Sequence, residues 1–194
     1  MSHIKFLDTY ILELFPFNCD KKKILDVACG CGSWGFKIRF EKGGNPFLIG
    51  LDIYKPYLKK LKRTKIYNDL ICADAKNIPI RSRIFDFVIA CEVIEHMKKQ
   101  DGLKLLKELE RVSKGRVILS TPLGFLKQQA SNNVYEKHIS SWWPKDFLEM
   151  HYNHMVIYDI NLPRKLELFL RKFRKFFPFL FLKEIIAWKD YDRR

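Results

Sequence analysis

Ile24-Leu25-Asp26-Val27-Ala28 runs directly into Cys29-Gly30-Cys31-Gly32-Ser33-Trp34-Gly35-Phe36, and this junction narrows the fold more than any other stretch of the chain. An apolar, β-branched run of that length reads as a buried strand, and the closely spaced glycines after it read as a tight turn that opens a helix. Glycine has no Cβ and tolerates positive φ, so such a turn lets a ligand approach the backbone closely. Strand, glycine turn and helix make the first half of a βαβ unit, which predicts a parallel sheet.

The rest of the chain keeps that alternation. Strands are expected at Lys23 to Ala28, Phe47 to Asp52, Leu70 to Ala73, Phe85 to Ala90, Arg116 to Ser120, His154 to Ile160 and Glu184 to Lys189. Helices are expected at Ser33 to Glu41, Pro56 to Arg63, Gly102 to Val112 and Pro144 to His151. In the third of these, Leu103, Leu106, Leu109 and Val112 recur at spacing three, an apolar stripe that packs on a sheet. Asn45-Pro46, Lys114-Gly115, Thr121-Pro122 and Leu162-Pro163 punctuate the elements. The 194 residues suit one domain, 1–194, with an N-terminal helix within 1–21. Ile4, Leu7, Ile11, Leu14 and Phe15 share its apolar face, which either covers a ligand or packs on the sheet.

Charge and cysteine content bound the setting. The net charge is +14, concentrated in Lys55 to Lys65 and Pro163 to Lys183. Exposed helix faces are often lysine-rich for solubility alone, and the first cluster is read that way. No single-strand stacking array or nucleic-acid motif accompanies the charge, so nucleic acid is not an expected partner. The five cysteines are an odd number, mostly beside apolar runs, which suits a reducing cytoplasm. No membrane span is expected, since no run of about 18 apolar residues occurs, and no signal peptide, since Asp8, Glu13 and Asp20 stand where a basic flank would be.

Three acids stand at or just past strand ends. The glycines alone satisfy a dinucleotide fingerprint and do not choose a cofactor. Asp26 helps choose, because a carboxylate near the turn repels a pyrophosphate and attracts a ligand carrying an ammonium and a sulfonium. Asp52 ends the next strand, and an ionised carboxylate there accepts hydrogen bonds from both hydroxyls of a ribose. Asp74, in Cys72-Ala73-Asp74-Ala75, either accepts from an adenine amino group or caps a short turn.

At this point the chain resembles a known family. Ile24 to Phe36, Gly50 to Ile53, Cys72 to Ile80, Phe85 to Met97 (FDFVIACEVIEHM) and Arg116 to Pro122 (RVILSTP) look like the ordered motifs of class I S-adenosylmethionine-dependent methyltransferases, in the small-molecule, type 11-like branch. The resemblance implies a Rossmann-like α/β fold: a seven-stranded, mostly parallel sheet with helices on both faces and an antiparallel last strand near Glu184 to Lys189. It implies S-adenosylmethionine as cofactor. Asp26, Gly30 and Gly32 would line its methionine and sulfonium side, Asp52 would hold the ribose, Asp74 and Ala75 the adenine, and Cys91 would begin the loop beside the sulfonium, with Ala28 and Ile53 also at the cofactor. Ala28 stands where a first glycine is common, and Cys31 where threonine or serine is.

Methyl transfer from a sulfonium is an in-line displacement, so the protein's main task is to hold donor and acceptor about 3 to 3.5 Å apart and aligned. A hydroxyl acceptor must also lose a proton, and histidine is the natural receiver. His96 (in EVIEHM) and His138 (in YEKHISSWW) are the candidates, against plain structural roles for both. His151-x-x-His154 and Cys29-x-Cys31 lack partners at zinc spacing, so no metal is expected. Leu166, Phe169, Phe173 and Phe176 recur among Lys165, Arg171, Lys172, Arg174 and Lys175, an amphipathic basic helix over 164–177. It either caps the acceptor pocket or lies on an anionic membrane, which would make the acceptor lipid-like and the protein peripheral to the membrane. The alternatives are a nucleotide-dependent oxidoreductase and a non-catalytic cofactor-binding or nucleic-acid-binding module.

Overall fold

The computed structural model describes residues 7–126, 133–159 and 182–191. Ile4 and the expected basic helix at 164–177 lie outside them. Among the described residues the strands are β1 (Lys23–Val27), β2 (Phe47–Asp52), β3 (Asp69–Cys72), β4 (Phe85–Cys91), β5 (Ser113–Pro122), β6 (Asn153–Asp159) and β7 (Leu182–Asp190). They form one seven-stranded sheet in the order β3-β2-β1-β4-β5-β7-β6. β1 to β5 pair in parallel, and β7 runs antiparallel to both β5 and β6. The Rossmann-like sheet with its antiparallel last strand is therefore as expected.

The helices are α1 (Leu7–Glu13), α2 (Ser33–Glu41), α3 (Lys55–Leu61), α4 (Lys99–Val112) and α5 (Pro144–Glu149). Each strand feeds both faces, since successive side chains alternate. Ile24, Ile89 and Ile118 face α1, α2 and α3, while Leu25, Val88 and Val117 face α4 and α5. Helices on both sides explain why the strands are apolar throughout rather than alternating. Burying one such side chain contributes about 1.5 to 3 kcal/mol.

Several boundaries differ from expectation. α4 begins at Lys99, and its buried stripe is Gly102, Leu105, Leu106, Leu109 and Val112, with Leu103 only half-buried. A helix repeats every 3.6 residues, so strict spacing of three drifts off the packed face. Lys114-Gly115 lies inside β5 rather than ending an element. The β4–β5 register shifts between Phe85 and Phe87, and a Cβ on Gly115 would collide with the Asp86 carbonyl oxygen. This glycine marks a bulge where two backbones meet.

α1 packs on the sheet. Leu7, Ile11, Leu12 and Phe15 are buried in the same cluster as Ile24 and Ile38, and Phe15 meets Phe87 at 5.0 Å between ring centroids. Lys55, Lys59, Lys60, Lys62, Arg63 and Lys65 are all exposed, as a solvated helix face should be. No described helix is long and apolar enough to cross a membrane.

Candidate active site

The turn after β1 reverses direction through a series of left-handed residues: Ala28 at φ 57°, Gly30 at φ 51° and Gly32 at φ 84°. Ala28 therefore occupies a conformation that glycine adopts without strain, which explains why glycine is common there. The turn is tied to β2. Cys29 N–H donates to Leu51 O at 3.0 Å, and Gly30 N–H donates to Asp52 Oδ2 at 2.8 Å. The other Asp52 oxygen accepts from Tyr54 N–H at 2.7 Å. Burial raises the Asp52 pKa while these two N–H groups hold it down. Each oxygen keeps a lone pair for a further donor.

Asp26 is placed differently from the sequence reading. It shares the β1 face of Ile24 and is 1% exposed, beneath the first turn of α2. Its Oδ2 accepts from the Tyr67 hydroxyl at 2.6 Å. Burial pushes its pKa up to about 7, against the pull of the Tyr67 hydroxyl and the Gly35 N–H. Asp26 and Gly32, expected along the methionine and sulfonium side, stand one layer behind the residues that line the cavity. Strand alternation is the reason for Asp26. Gly32 turns toward α3, where a Cβ would lie 2.6 Å from Leu61 Cδ2.

Tyr67 escaped the sequence reading. A Cβ on Gly35 would run into its ring, and one on Gly50 would lie 3.1 Å from its Cδ1. These glycines leave room for the ring that supports the turn. Arg39 fixes its neighbours, donating from Nε to Ile66 O at 2.8 Å and from Nη2 to Asn68 Oδ1 at 2.7 Å. A signal was present: Gly35 and Gly50 lie on adjoining elements, and a large side chain had to fill the space between them.

A cavity of about 730 Å³ opens over the carboxyl ends of β1, β2 and β4, where open α/β sheets bind ligands. Ala28, Gly30, Asp52, Ile53, Asp74, Ala75 and Cys91 line it, so most of the expected cofactor residues come together. Leu7 and Asp8 form part of its rim, so α1 borders the cavity as well as packing on the sheet. Asp74 Oδ1 accepts from Lys76 N–H at 2.9 Å within a turn, as the capping reading expects, and the residue also borders the cavity. A second cavity, about 770 Å³, lies by Arg83, Asp86 and Arg116 near the opposite strand ends. It holds none of the expected site residues.

The far wall of the first cavity carries Glu92, Glu95, His96, His138 and Glu184. The 3-10 turn Ile94–His96 supplies two of them. It is stitched to the His138 segment, because Ile139 N–H and Ser140 N–H donate to Glu95 O at 2.9 and 3.1 Å. Trp142, fully buried, donates from Nε1 to Ile94 O at 3.3 Å. Gly102 makes room for it, since a Cβ there would strike the indole. His96 and His138 thus meet with ring centroids 4.8 Å apart, and burial lowers both pKa values, so both are neutral near pH 7. Burial and mutual repulsion raise the pKa values of Glu95 and Glu184, and burial raises that of Glu92.

Residues 24–115 match the model of a family described as "Methyltransferase domain". An uncharacterized Methanocaldococcus jannaschii protein is 30% identical over 182 residues, covering 90% of this chain and 72% of that one. Residues 24–115 are thus a methyltransferase domain, set in a sheet of the class I methyltransferase fold. An Arabidopsis thaliana tRNA (carboxymethyluridine(34)-5-O)-methyltransferase is 34% identical over 102 residues, half of this chain but 23% of that protein. In fold, this methyltransferase superposes on an S-adenosylmethionine-dependent methyltransferase from Archaeoglobus fulgidus with TM-score 0.66 at 15% identity, covering 97% and 94% of the two chains. The matched domain is an enzyme domain, and S-adenosylmethionine is the methyl donor named for that structural neighbour.

Proposed function

We propose that the enzyme transfers the methyl group of S-adenosylmethionine to a small-molecule acceptor held at the histidine end of the 730 Å³ cavity. The observation that carries this reading is the continuity of the cavity: one space joins the cradle of Gly30, Asp52, Asp74 and Ala75 to Glu95, His96 and His138. Its volume falls within the range of roughly 300 to 1,000 Å³ usual for small-ligand pockets. In this reading Asp52 accepts from the ribose hydroxyls, Asp74 and Ala75 border the adenine, and Cys91 lies beside the sulfonium. Asp26 and Gly32 act through the shape of the turn. His138 donates from Nδ1 to Leu126 O at 2.8 Å, which leaves the Nε2 lone pair for the acceptor's proton.

The test is turnover with a labelled methyl donor against a panel of hydroxyl, amine and thiol small molecules, anionic vesicles and tRNA. Small-molecule turnover supports the reading, and methylation of tRNA alone refutes it. A lipid-like acceptor is the second reading, favoured by the basic amphipathic pattern of 164–177. Salt-sensitive co-sedimentation with anionic vesicles would support it.

A further inference from the structure

At the acceptor end of the cavity one ligand atom from each of Glu95, His96 and His138 lies within 4.8 Å of the others. We infer that these residues form a binding site for a single divalent transition-metal cation, with its open coordination positions facing the acceptor.

Glu95 carries the argument furthest. It is 2% exposed, one of its oxygens accepts from the Thr121 hydroxyl at 3.0 Å, and the other, Oε1, is buried with no hydrogen-bond partner. That oxygen lies 3.9 Å from His96 Nε2. A buried carboxylate oxygen without a donor is costly, and natural proteins keep one where a ligand supplies the missing partner. Glu92 and Glu184 line the same cavity and add carboxyl oxygens whose ionised form a dication would favour.

His138 is prepared for the role. Its Nδ1 is engaged by the Leu126 carbonyl, the arrangement by which metal-binding histidines fix their tautomer and aim the other nitrogen. Two imidazoles and a carboxylate favour Mn²⁺, Fe²⁺, Co²⁺ or Zn²⁺ over Mg²⁺ or Ca²⁺, which prefer all-oxygen sets. Three protein ligands leave positions for substrate, the pattern of catalytic rather than structural sites. Ligand atoms around such an ion sit roughly 3 to 3.5 Å apart, so small side-chain shifts close the set.

Resting on the methyl-transfer reading, the open positions take an oxygen of the acceptor, which points to a hydroxyl substrate. A bound cation lowers the hydroxyl's pKa. The proton leaves to water, the oxygen pair forms the new O–CH₃ bond, and the sulfur keeps the pair of the breaking S–CH₃ bond. His138 is then a ligand rather than the base. The expectation of no metal rested on His151-x-x-His154 and Cys29-x-Cys31 alone; Glu95 and His96 are adjacent and His138 is remote, a spacing unlike usual zinc motifs.

Chelator-treated enzyme titrated with Mn²⁺ and followed by electron paramagnetic resonance should bind one ion and melt at a higher temperature. His138→Ala, a change at a half-buried loop position, and Glu95→Gln should each weaken binding at least tenfold, while His154→Ala should not. Absence of binding by wild type for both Mn²⁺ and Zn²⁺, or binding that survives both substitutions, overturns the inference. Calorimetry with S-adenosylhomocysteine on the metal-free enzyme tests the cofactor site separately, so either reading can fail without the other.

Discussion

The Tyr67 hydroxyl donates to Asp26 Oδ2 at 2.6 Å beneath the glycine turn, joining the connection before β3 to the end of β1. Both residues are buried. The bond supports the turn from below, and the cavity residues Ala28 and Gly30 inherit their positions from it.

Tyr67→Phe removes the donor and leaves a buried carboxylate short of a partner. Such orphaned groups cost about 1 to 3 kcal/mol. Urea unfolding should show that loss, and calorimetry should show weaker S-adenosylmethionine binding. Unchanged stability would mean that the bond does not support the turn.

Asp26 also makes stability depend on pH. Its folded pKa, about 7, lies above the ordinary aspartate value of 3.8. The folded state therefore holds the proton more tightly. The stabilisation is fully present below about pH 4 and is lost as pH rises through about 7. Asp26→Asn has no such titration. The stability difference between variant and wild type should shift in the variant's favour between pH 4 and 7, and a constant difference would contradict the assignment.

Ala28→Gly should stabilise the enzyme. A non-glycine residue in the left-handed region costs about 1 to 2 kcal/mol, and glycine's extra chain entropy returns about 0.5 to 1 of that. A net gain of roughly 0.5 to 1 kcal/mol is expected in thermal unfolding. A loss would show that the alanine methyl makes contacts worth more than the strain.

Asp52→Ala should raise the Kd for S-adenosylmethionine by roughly 30- to 150-fold, the equivalent of about 2 to 3 kcal/mol for hydrogen bonds to a charged group. It also frees the Gly30 N–H, so circular dichroism should accompany the calorimetry to confirm an intact fold. An unchanged Kd with an intact fold would remove Asp52 from the site.

Adjacency along the chain determined much of this protein. The apolar runs on both sides of Gly30 and Gly32, the acid that closes β2 and the one just after β3 follow from local chemistry: a run apolar on both faces reads as a covered strand, and glycine is favoured where φ turns positive. The parallel sheet, its order of elements and many of the residues that line the 730 Å³ cavity were legible for that reason. Tertiary structure decided what depends on the third dimension. Asp26 faces inward because side chains alternate across a strand. Gly115 is a bulge because the Asp86 backbone arrives from another strand. Glu95, His96 and His138 converge because Trp142 fits against Gly102 and draws a distant loop onto a short turn. No spacing in the sequence encodes such a meeting, since contacts between remote segments depend on shapes that exist only once the core has packed.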